Sequence, residues 1–162
     1  MRGEEFERLY EAHAASLLNF LHYRTGDRPL AEDLLADTFE RVLRARHRFN
    51  ARRASEKTWL YAIAQNVLRD HLRRAATGHR VVEQVSAGHA ASQGETELEA
   101  TEERDALHRA LAALSLEERE TIALRYGADL TVAEIARVTG EKPSTIHGRV
   151  YRSLRKLKQQ LD

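Results

Sequence analysis

The sequence predicts an all-α chain of two small helical domains joined by a flexible linker, and three observations carry that reading. Two Pro and eight Gly in 162 residues leave long stretches free of helix breakers. Large apolar residues recur at three- and four-residue steps in both halves of the chain. Between the halves, from Ala75 to about Thr96, that periodicity stops and Gly, Ser, Ala and Thr take over.

The first domain, residues 1–74, reads as a three-to-four-helix bundle. Phe6, Leu9, Tyr10, Leu17, Phe20 and Leu21 stripe one helix that stops at Gly26. Asp27 caps a second, with Pro29 in its first turn and Leu30, Leu34, Leu35, Phe39, Val42 and Leu43 on the packing side. A third runs from near Ser55 to about Arg74 and packs through Trp59, Leu60, Ile63, Val67, Leu68 and Leu72. The far end of the linker, residues 75–100, turns acidic and the acidity runs on into the start of the next domain, where Glu95, Glu97, Glu99, Glu102, Glu103 and Asp105 outweigh Arg104. In the second domain, residues 101–162, periodicity resumes with Leu107, Leu111 and Leu114. Ser115 with Glu118 forms a capping box opening a helix that carries Ile122, Ala123 and Tyr126, and Thr131 with Glu134 forms a second box. The last helix spans about Ser144 to Gln160, with Ile146, Val150, Leu154, Leu157 and Leu161 facing inward.

Composition excludes several classes. With no cysteine the chain has neither disulfides nor thiolate metal sites, and the scattered histidines lack ligand spacing, so we expect no metal and no cofactor. No phosphate-cradling Gly-rich loop, nucleophile elbow or metal-ligand spacing occurs, which argues against an enzyme. The N-terminus lacks the apolar core of a signal peptide and no apolar run approaches a membrane span. The expectation is a cytoplasmic protein without membrane insertion. Lys plus Arg (26) nearly balance Asp plus Glu (25), so only the distribution of charge is informative.

That distribution is uneven. The segment from Thr131 to Gln160 has the layout of a helix-turn-helix, whose second helix enters the major groove of DNA. From Lys142 to Leu161 the chain holds Lys142, Arg149, Arg152, Arg155, Lys156 and Lys158 and no acid. The last three suit a helix C-terminus with or without a ligand. Arg149 and Arg152 lie in the first half, where cations oppose the helix dipole, and they ask for an anionic partner. Thr145, His147 and Gly148 share the outward face near them. A second basic cluster, Arg69, Arg73 and Arg74, closes the third helix, with Arg80 beyond; dipole compensation would explain it equally. Asn66 interrupts an apolar run and could meet a base edge or merely solvent. Trp59 is more readily a core aromatic than a stacking platform. On the second helix Asp33, Asp37 and Glu40 share a face beside Leu34, which either complements the dipole or docks a basic partner.

Taken together, AEDLLADTFERVLRARHRF followed by KTWLYAIAQNVLRDHLRR resembles region 2 of the bacterial sigma-70 family. LAALSLEERETIALRYGADLTVAEIARVTGEKPSTIHGRVYRSLRKL is similar to region 4 of the same family. The order and compactness of the two blocks resemble the extracytoplasmic-function (ECF) group. The resemblance implies a factor that binds core RNA polymerase, through the beta-prime clamp helices and the beta subunit, and directs it to promoter DNA. It assigns Asp33, Leu34, Asp37 and Glu40 to polymerase binding, and Trp59, Asn66, Arg69, Arg73 and Arg74 to the −10 element. It assigns Ser144, Thr145, His147, Arg149 and Arg152 to the −35 element, with Thr131 offering backbone donors to a phosphate. It further implies an anti-sigma factor as partner, and an acidic linker that follows the polymerase's RNA path. Gly148 departs from the family, which usually has Ser there, and region 2 has few aromatics beyond Trp59 and Tyr61. Two other functions fit the residues: a free-standing helix-turn-helix regulator that binds DNA without polymerase, and a pure interaction module.

Overall fold

The computed structural model describes residues 1–78 and 101–162, and every described element is helical. Helix α1 (Gly3–Thr25) starts where the Glu5 carboxylate accepts the Arg2 N–H at 2.8 Å, and ends at Gly26 in the left-handed region with φ 68°. The Asp27 side chain then accepts the Leu30 N–H at 3.1 Å and opens α2 (Arg28–Ala45). A single 3₁₀ turn, Arg46–Arg48, leads to a loop, and the Ser55 hydroxyl accepts the Thr58 N–H at 3.1 Å at the start of α3 (Glu56–Gly78). The third helix outruns its expected end at Arg74 because Ala75 and Ala76 favour helix. Residues 75–78 therefore belong to α3, and the rest of the expected linker lies outside the described residues.

Leu9, Leu17 and Leu21 of α1, Leu34 and Val42 of α2, and Leu60, Tyr61 and Leu68 of α3 are buried together. Phe39 meets Phe6 and Tyr10 edge-on, at centroid distances of 6.1 and 4.8 Å. Tyr61 lies edge-on to Phe20 at 5.6 Å, and burial pushes its phenol above the usual tyrosine range.

The second module comprises α4 (Thr101–Ala112), α5 (Leu116–Ile122), α6 (Val132–Thr139) and α7 (Pro143–Leu161). Both expected capping boxes form: the Ser115 hydroxyl accepts Glu118 N–H and the Thr131 hydroxyl accepts Glu134 N–H, each at 3.1 Å. After α5 the chain continues into a π turn, Ala123–Gly127, in which the Ala128 N–H reaches the Ala123 carbonyl. Gly140, at φ 76°, makes the turn between α6 and α7. The inward stripe of α7 holds at Ile146, Val150 and Leu157 but not at Leu154 or Leu161, which are 41% and 50% exposed. Leu154 instead borders an open apolar hollow of about 430 Å³ with Phe20, Tyr23, Leu111 and Tyr126.

The two modules pack on one another. The buried apolar cluster of α1–α3 continues without a break into Ala123, Leu124, Ala128, Leu130, Ile135 and Ile146. Polar contacts follow the same seam. Lys57 donates to the Asp129 carbonyl at 3.0 Å, Thr58 to the Glu134 carboxylate at 3.2 Å, and Arg137 to the Arg53 carbonyl at 2.6 Å.

Candidate nucleic-acid interface

Helix α7 buries Ile146, Val150, Ser153 and Leu157 and turns Ser144, Thr145, His147 and Arg152 to solvent. That leaves a polar, cationic face on a single helix, an element that a major groove admits. Arg149 is different. Its side chain is 11% exposed, and its guanidinium grips both oxygens of Glu141, at 2.8 and 2.6 Å, with Thr121 at 3.2 Å and Glu117 at 3.8 Å. The expected anionic partner exists, but it is an acid of the same module in the turn before α7. Hydrogen bonding from Arg149 holds the Glu141 carboxyl below its usual range, and the bond to Glu141 pushes Arg149 up. Arg149 thus fixes the angle between turn and helix, and the outward cation is Arg152.

At the N-terminus of α6, the Thr131 N–H donates to Glu134 at 2.8 Å. The second oxygen of Glu134 accepts the Thr58 hydroxyl, and foremost the Thr131 N–H, then these side-chain bonds, hold that carboxyl low. The amide expected to meet a phosphate is therefore already satisfied, and the donors left at this helix start are those of Val132 and Ala133.

On α3, Asn66, Arg69 and Arg73 share a face at i, i+3 and i+7, all of them open to solvent, with Arg74 exposed beside them. Trp59 is half-buried, packed on the core and against Phe49 at a centroid distance of 5.1 Å. Arg69 is held: its guanidinium lies 3.4 Å from Glu120 of α5. The same carboxylate lies 3.4 Å from Arg24, whose side chain is 3% exposed and whose Nε has no hydrogen-bond partner among the described residues. Burial pulls the Arg24 guanidinium below its usual range, and Glu120 pulls it back up. One acid thus ties the second module to both α1 and α3, and helix periodicity gives no sign of it.

On α2, Asp33, Asp37 and Glu40 are exposed, and Glu40 accepts a bond from Arg44. Leu34 is 3% exposed and belongs to the core, because it lies on the stripe that meets α1 and α3. The face available to a partner is therefore the three acids alone. Among the described residues no group of acids and histidines could hold a metal ion, and no helix is long and apolar enough to cross a membrane.

Residues 9–77 match the sigma-70 region 2 family and residues 104–157 match sigma-70 region 4. The chain belongs to the sigma-70 family. Its place within the family is the ECF group: it is 31% identical over 157 residues to the ECF RNA polymerase sigma factor BldN of Streptomyces coelicolor, covering 96% of this chain. The chain spans 60% of the length of BldN. It is also 31% identical to the ECF RNA polymerase sigma factor SigC of Mycobacterium tuberculosis, covering 93% of this chain and 80% of that one. The fold is similar to that of the sigma factor RpoE from Bartonella quintana, solved in complex with the anti-sigma factor NepR. That match has a TM-score of 0.73 at 24% identity and covers 98% of this chain and 97% of that one. A free-standing regulator is not favoured, since region 2 accounts for α1–α3.

Proposed function

We propose that this sigma factor binds core RNA polymerase in the cytoplasm and directs it to promoters made of a −10 and a −35 element. The exposed acids of α2, Asp33, Asp37 and Glu40, complement a basic partner and serve as the dock for the beta-prime clamp helices; region 4 engages the beta subunit. Asn66, Arg73 and Arg74 on α3 take the −10 element, joined by Arg69 once Glu120 releases it, with Trp59 at the edge of that face. Ser144, Thr145, His147 and Arg152 on α7 take the −35 element, and the amides after Thr131 meet a phosphate. Arg149 acts on that element through Glu141, by holding the helix in place.

The observation that carries this reading is charge arranged against a neutral total: a chain of net charge +1 sets an acid-free helix face on one module and a cationic helix end on the other. Each face alone makes few phosphate contacts, so affinity comes from using both while polymerase holds them in register. An anti-sigma factor belongs to the same proposal. RpoE was solved with one, and the apolar hollow between α1 and region 4 offers a seat for an amphipathic helix. The chain itself performs no catalytic step in this scheme. Run-off transcription with purified core polymerase tests it: transcripts should start at defined sites only when the chain is added. Tight, sequence-specific footprints of the chain alone would instead make it a free-standing regulator.

A further inference from the structure

At the middle of α7's outer face the side chain is missing. Gly148 lies opposite the buried Ile146 and Val150, in one row with Ser144 and Arg152 at i, i+4 and i+8. Glycine is, after proline, the residue least favourable to a helix interior, so the position carries a local cost that the fold does not require. No backbone reason compensates for it, because Gly148 is not among the residues with positive φ. Although Gly148 sits at the outermost point of the helix, it is only half-exposed, because a side chain lies over it. A Cβ built at Gly148 would stand 3.1 Å from Nη1 and 3.9 Å from Cζ of Arg152. The guanidinium of Arg152 therefore lies back across the helix, in the place where a residue 148 side chain would be. Unlike Arg149, it has no acid and no hydrogen-bond acceptor among the described residues.

We propose that Gly148 is a specificity-determining position, which seats the Arg152 guanidinium flat across the outer face so that it reads a guanine of the −35 element. The proposal rests on the assignment of α7 to that element. The bare backbone at Gly148 gives the Arg152 guanidinium room to lie across the outer face, where it is presented to the groove. Its planar fork matches the O6 and N7 acceptors of guanine in the major groove. An alanine Cβ at 148 displaces the guanidinium by a few tenths of an ångström, so that its fork no longer meets the base squarely, and a longer side chain takes its place altogether. Arg149, clamped by Glu141, keeps the helix from rolling while Arg152 reads.

The test uses holoenzyme reconstituted from core polymerase and the full chain, with templates randomised through the −35 element and the selected templates sequenced. The native chain should enrich guanine at one position. Arg152→Ala should reduce that enrichment by roughly five- to a hundredfold. Gly148→Ala should raise the melting temperature, alanine being the better helix former, yet reduce guanine enrichment at the same position by about threefold or more. Placed in the Arg152→Ala background, Gly148→Ala should change the enrichment no further, because both act through one guanidinium. A Gly148→Ala chain that keeps the native enrichment, or alters it at another position, overturns the proposal. A native chain that enriches no base anywhere in the element overturns the −35 assignment itself, and this inference with it.

Discussion

Replacing Glu120 by Ala removes the acid that serves Arg24 and Arg69 together, and its effect can be worked out from their exposure. Arg69 is 43% exposed, so its pair with Glu120 contributes only about 0.5 kcal/mol or less after solvent screening. Arg24 is 3% exposed, and the Glu120 carboxylate is the counter-charge that offsets its burial. A buried guanidinium left without its partner costs about 3–5 kcal/mol while the modules stay docked. Separation of the modules hydrates Arg24 and relieves that cost, at the expense of the apolar seam through Leu124, Leu130 and Ile135. The variant should therefore lose stability in urea unfolding by at least about 1 kcal/mol. Its solution-scattering radius should increase, and it should bind a single-stranded −10 oligonucleotide more tightly than the native chain, because Arg69 is freed. Adding Arg24→Met should restore both compactness and stability, since the charge that needed a partner is gone. An unchanged unfolding curve and an unchanged radius in Glu120→Ala would refute the role given to this carboxylate.

Other perturbations have equally definite outcomes. Arg149→Ala or Glu141→Gln should lower stability by about 1–3 kcal/mol in urea titrations and weaken −35 selection in reconstituted transcription, since each leaves half of the clamp unpaired. The clamp also fixes a pH dependence. The Glu141 and Glu134 carboxyls are lowered from 4.5 on folding, so the stability they lend is complete above that value and is lost as pH falls through their folded values. Circular dichroism should show the native chain losing helix on acidification below about pH 4.5, with a smaller decline for Glu141→Gln. Gln65 is fully buried and neither of its amide atoms has a partner among the described residues, so Gln65→Leu should gain about 1 kcal/mol in the same titrations. Arg73→Ala with Arg74→Ala should flatten the salt dependence of −10 single-strand binding by about 0.7 in log–log slope for each phosphate that is no longer neutralised.

What the sequence disclosed is mostly what neighbouring residues settle among themselves. Gly26, Asp27 and the boxes at Ser115 and Thr131 are legible because each cap bonds backbone within a few residues of itself. The basic face of α7 is legible because helical periodicity decides which side is out. Arg149 stands out in the sequence as a cation in need of an anion, but its partner Glu141 lies across a turn whose geometry no periodicity predicts. Leu34 falls on both a packing stripe and a candidate docking face, and only the packing of α1 and α3 shows that the core takes it. The seam between the modules is invisible for the same reason. Glu120, Lys57, Thr58 and Arg137 each look like surface residues of their own helices until the other module is set against them.

In the proposed function this chain gives core polymerase its choice of promoter through two modules acting together. The most direct measurement maps transcript 5′ ends on a genomic DNA library transcribed by core polymerase with and without the chain. Start sites that appear only with the chain, and that share two sequence blocks upstream at one fixed spacing, are the predicted result. Start sites that are the same in both reactions, or that share a single block, would contradict it.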